Sequence, residues 1–86
     1  MATIEEVKAG LAQAGDETAR AITGIRGVVD GFDRAITILR AVSVGSGALK
    51  VAQAISQLEQ AKSRLAEAAQ LGNASISTAR DYTAML

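Results

Sequence analysis

The chain has 86 residues, enough for one domain, and is 49% hydrophobic but only 2% aromatic. Nine Lys and Arg balance nine Asp and Glu, and there is no Cys and no His. That composition excludes disulfide staples, thiol chemistry and imidazole metal ligands, and it gives no basic excess for coating nucleic acid. Alanine supplies much of the apolar content, so the core is expected to be thin, and a chain of this size makes up missing burial by association. No run of about 20 apolar residues reads as a membrane span. The start, Met1-Ala2-Thr3-Ile4-Glu5-Glu6, lacks the basic and apolar regions of a Sec signal peptide.

Thr3-Ile4-Glu5-Glu6 has the form of a capping box: a hydroxyl for an orphan N–H, with a Glu three residues on. Two acids in the first turn suit the positive end of a helix. With Ile4 as position a of a heptad, the a and d positions are Ile4, Val7, Leu11, Ala14, Thr18, Ala21, Ile25, Val28, Phe32, Ala35, Leu39 and Val42. Eleven of these twelve are apolar, with no slip of phase, which predicts a helix over about 4–42. Position e adds Ile22, Val29 and Ile36. An a/d/e stripe is wider than one neighbour needs, so this helix is expected to touch more than its hairpin mate.

Charges at i,i+4, namely Asp16 and Arg20, Arg26 and Asp30, and Asp30 and Arg34, fit a solvated outer face. Gly10, Gly15, Gly24, Gly27 and Gly31 each cost a helix about 1 kcal/mol relative to Ala. Three of them, Gly10, Gly24 and Gly31, share position g beside the apolar stripe. A line without side chains lets another backbone approach, so Gly10, Gly24 and Gly31, with Ile22, Val29, Phe32 and Ile36, are interface candidates.

The rhythm stops at Val42, and Ser43-Val44-Gly45-Ser46-Gly47 reads as a turn over 43–47. Gly45 can take the left-handed conformation that ends a helix, and Ser46 can cap the next one. The spacing is not that of a phosphate-binding loop and no strand precedes it.

The second helix is expected over about 48–85. With Val51 as a, the a and d positions are Val51, Ala54, Leu58, Ala61, Leu65, Ala68, Gly72, Ser75, Ala79, Tyr82 and Leu86, a weaker and Ala-rich stripe. Lys62 at e can lay its stem along the stripe and pair with Glu59, and Arg64 can pair with Glu67. Gly72-Asn73 offers a break, but the unbroken phase favours a continuous helix. Tyr82 at d reads as a core residue whose hydroxyl reaches solvent.

No chemistry emerges from this inventory. The acid pairs Glu5/Glu6, Asp16/Glu17 and Asp30/Asp33 lie mostly on outer positions beside arginines, and Ser and Thr lack a nearby base. Glu-x-x-His pairs of the di-iron bundle type are missing. The expectation is a non-enzyme with no cofactor and no metal.

Two helices of near-equal length, a Gly-containing turn and a Tyr near the C-terminus resemble the WXG100 (ESAT-6-like) family and small actinobacterial hairpin proteins of similar layout. Ser43-Val44-Gly45 stands where that family has Trp-x-Gly, with Ser in place of Trp. Tyr82 stands where its C-terminal Y-x-x-x-[DE] signal has Tyr, with Leu86 in place of the acid. The resemblance implies an all-α antiparallel hairpin that dimerises into a four-helix bundle, and export by a type VII system.

The sequence is thus expected to give a helical interaction protein, a homodimer or a heterodimer with a similar hairpin, either cytoplasmic or secreted without a Sec signal peptide. A structural subunit of a larger assembly is an alternative. So is an amphipathic membrane-surface or lipid-binding hairpin, although balanced charge and scarce aromatics argue against it. Nothing points to a small-molecule substrate.

Overall fold

The computed structural model describes residues 2–43 and 49–86. Within them the chain is two antiparallel α-helices, α1 (Ile4–Ser43) and α2 (Leu49–Met85). The predicted spans hold to within a residue at each described end, with Ser43 closing α1 rather than opening the turn. Its hydroxyl donates to the Arg40 carbonyl at 2.9 Å. Gly45 as helix stop and Ser46 as cap fall outside the described residues, as do Val44 and Gly45 of the Ser43-Val44-Gly45 motif.

The start of α1 forms as its sequence dictates. The Glu6 N–H donates to Thr3 Oγ1 at 3.1 Å, which satisfies one orphan donor of the first turn, and the Val7 N–H donates to the Thr3 carbonyl at 2.9 Å as the first intrahelical bond. Glu5 and Glu6 stand at the positive end of the helix and Arg40 at the negative end.

The two helices meet along one seam, and it is not the a/d seam. On α1 the covered positions are Val7, Leu11, Gly15, Thr18, Ile22, Ile25, Val29, Phe32, Ile36 and Leu39, with Gly31 and Ala35 half-buried at the margin, while Ala14, Ala21, Val28 and Val42 face solvent. After Val7 the inward positions are therefore a and e. Side-chain size explains the choice. Ile22, Val29 and Ile36 at e offer far more apolar area than Ala14, Ala21 and Ala35 at d, and burial energy follows area. On α2 the same a/e rule holds from Val51 to Thr83, with Ala54 and Ala61 at d half-buried beside it. Tyr82, expected in the core, is 51% exposed because its d position lies off the seam.

α2 runs unbroken through Gly72-Asn73. The glycine has a cross-helix cause: a Cβ there would lie 3.1 Å from Ile22 Cδ1 and 3.5 Å from Thr18 Cγ2. Thr18, the one polar residue among the a and d positions of α1, turns its hydroxyl to the Ala14 carbonyl at 2.8 Å and its methyl toward Gly72.

The result is a rod of 65 × 19 × 15 Å. Only Ile22 and Ile36, at 7% and 2% exposure, are buried among the described residues. The accessible surface is 6407 Å², whereas a compact monomer of this mass would expose about 4,800 Å². The hairpin closes one seam and leaves an unusually large surface bare.

Candidate functional site

The hairpin has two broad sides of opposite character. One carries the b positions and is held by ions. Arg40 of α1 reaches Glu59 of α2 at 3.5 Å, and Lys62 of α2 bridges Asp33 of α1 at 2.5 Å and Glu59 at 3.5 Å. The hydrogen bond to Asp33 raises the Lys62 pKa above the ordinary lysine value; partial desolvation opposes it, and the charges of Asp33 and Glu59 add to it. Lys62 does lie along the seam, as its position predicts, and its side chain is only 26% exposed. Further along this side, toward the termini, an open groove is lined by Lys8, Leu11, Asp16, Ile76, Arg80 and Thr83 among others.

The opposite side carries the d and g positions. On α1, beyond Glu17 at g, these run Ala21, Gly24, Val28, Gly31, Ala35, Ile38 and Val42, every one from Ala21 onward apolar or glycine. Their spacing of alternating three and four residues is that of a heptad seam. Most of it is uncovered within the hairpin: Val28, Ile38 and Val42 are 46%, 62% and 61% exposed, and only Gly31 and Ala35 are half-buried. A Cβ on Gly24 would meet nothing within 4 Å, and one on Gly31 would meet only Arg34. The facing positions of α2 include Ala54, Ala61, Ala68 and Leu71, the last 73% exposed.

The interface candidates named from sequence therefore divide into two groups. Ile22, Val29, Phe32 and Ile36 are engaged in the seam between α1 and α2. Gly24 and Gly31 lie on the bare side with Val28 and Ile38, and Gly10 lies in line with them nearer the N-terminus, also open. Ile38 was not among the candidates. Taking g together with d, rather than a with d, brings it out. Tyr82 is accessible near the end of α2, and its place relative to the Ser43-Val44-Gly45 motif rests on residues outside those described.

Of the ion pairs expected along each helix, Lys62–Glu59 forms, while Arg20 takes Glu17 rather than Asp16. The cross-helix pairs Arg40–Glu59 and Lys62–Asp33 could not be read from spacing along one helix. Among the described residues no group of His, Cys, Asp or Glu is placed to hold a metal ion, and no helix is long and apolar enough to cross a membrane. No family model, curated protein or solved structure matches the chain.

Proposed function

We propose that this protein is a non-enzymatic helical interaction protein that acts by self-association or by pairing with a related hairpin. The observation that carries the reading is the largely uncovered heptad seam of α1 from Ala21 to Val42, with Val28, Ile38 and Val42 exposed. An apolar strip of this length with coiled-coil spacing is a helix-binding surface. Net charge of zero removes long-range repulsion between copies. The rod as a whole exposes about 1,600 Å² more than a compact monomer of its mass, which exceeds the about 800 Å² per partner that a stable interface buries.

Sedimentation equilibrium of the native chain at micromolar concentration tests the proposal. A stable helical monomer that binds no second hairpin would refute it.

A narrower version makes the hairpin a type VII secretion substrate or partner, as its WXG100 resemblance implies. The exposure of Tyr82 near the end of α2 supports this version. Its test is secretion of the native chain against Tyr82→Ala in a strain with a type VII system, where equal export of both would count against it.

A further inference from the structure

We infer that the occupant of the bare side is a second copy of this chain, placed antiparallel by a two-fold axis that passes at Gly31 of α1 and between Ala61 and Arg64 of α2. The inference rests on the self-association proposed above and adds its surface and register.

The first ground is the order of side-chain sizes along α1. The strip reads Ala21, Gly24, Val28, Gly31, Ala35, Ile38, Val42. Laid antiparallel on itself about Gly31, it sets Ala21 against Val42, Gly24 against Ile38, Val28 against Ala35, and Gly31 against itself. Each larger side chain meets a small one or a glycine. A two-fold interface must be self-complementary in just this sense, residue i meeting j while j meets i. Large-against-small alternation is how facing helices interdigitate without voids. A parallel arrangement would set Val28 on Val28, Ile38 on Ile38 and glycine on glycine, with gaps between them.

The second ground is independent, because it comes from α2. Its d and g positions read Ala54, Gln57, Ala61, Arg64, Ala68, Leu71. Antiparallel about the point between Ala61 and Arg64, Ala54 meets Leu71, Gln57 meets Ala68 and Ala61 meets Arg64, again small against large in every pair. Arg64, the one charge in this stretch, is long enough to carry its guanidinium to the rim, where Glu67 stands three residues on.

The two registers need not have agreed. Within the hairpin, Gly72 lies across from Ile22, and Lys62 reaches Asp33. That alignment puts Gly31 level with Ser63 to Arg64, within about one residue, or about 1.5 Å of rise, of the midpoint between Ala61 and Arg64. One axis perpendicular to the rods therefore satisfies both helices. It lies toward the turn end of the hairpin, so the two copies overlap over their turn-side portions. The terminal ends, with Tyr82, Met85 and the groove near Lys8 and Arg80, project free on either side.

The chain has no cysteine, so each introduced thiol reports without background. Gly31→Cys is expected to form a disulfide-linked dimer by itself. Gly24→Cys and Ile38→Cys are each expected to stay unlinked alone and to link when mixed, as are Ala54→Cys and Leu71→Cys. Retained helicity by circular dichroism checks that each variant folds. Val28→Lys with Ile38→Lys is expected to sediment as a helical monomer. If the native chain dimerises but Gly24→Cys links to itself, or the mixed pairs fail to link, the register is wrong while self-association stands. If the native chain is monomeric, both fall.

Discussion

α1 carries two apolar seams side by side, and they have different fates. One, from Val7 to Leu39, is built of Leu, Ile, Val and Phe around Thr18 and Gly15 and is covered by α2. The other, from Ala21 to Val42, shares the same spacing but is built of Gly, Ala, Val and Ile and is exposed except at half-buried Gly31 and Ala35. The difference shows what sets the hairpin's register. When a helix offers more apolar face than one neighbour can take, the bulkier seam goes inside because it removes more area from water. The smaller-residue seam, left out, is the one suited to close approach by a second backbone.

The most direct way to break the comparison is to hollow out the covered seam. Ile36→Ala removes the most deeply buried side chain and should cost about 2–4 kcal/mol by urea denaturation. Ile38→Ala on the bare side should cost an isolated hairpin well under 1 kcal/mol. Equal losses would mean that the two seams are not distinct.

Overfilling the covered seam gives the next largest effect. Gly72→Leu would drive atoms into Ile22, 3.1 Å from the nearest added carbon, and should cost about 1–3 kcal/mol. The opposite sign is expected at Gly27. A Cβ there meets nothing within 4 Å, and Gly27→Ala should raise the melting temperature through a helix-propensity gain of up to about 1 kcal/mol. A loss there would show that a neighbour outside the hairpin already occupies that position.

Lys62 provides the smallest and most specific test, since it ties the ion-paired side to the covered seam. Its pKa is raised in the folded chain. The stability it contributes is therefore complete below the unfolded lysine value of about 10.4 and is lost as pH rises through the folded value. Melting temperature should fall across that alkaline window, and Lys62→Met, which keeps the stem, should flatten that part of the profile. An unchanged slope would remove Lys62 from the stabilising set.

Much of this fold is legible in the sequence because helices are local. The unbroken heptad gives α1 and α2 their length, and Thr3 and Glu6 mark the start. The width of the stripe, a, d and e, also announces that α1 has more apolar face than one neighbour needs. Which edge of that stripe turns inward is harder to see. A fixed a/d frame places Ala21 and Val28 inside and Ile22 and Val29 at the margin, and only comparison of side-chain volumes reverses the assignment. Gly72 reads locally as a soft spot, whereas its cause is Ile22, fifty residues away in the chain. Arg40–Glu59 and Lys62–Asp33 are hidden for the same reason, since they depend on how the two helices are aligned. Tyr82 follows the seam: once e replaces d, its position is outside.

Concentration dependence of stability tests most directly whether the second seam of α1 is a place for another copy. For a native dimer, the urea midpoint should rise with protein concentration, with an apparent gain of up to about 2.7 kcal/mol per dimer over a hundredfold range. The Val28→Lys, Ile38→Lys chain should show a midpoint that does not move. A native midpoint equally independent of concentration would contradict the assignment.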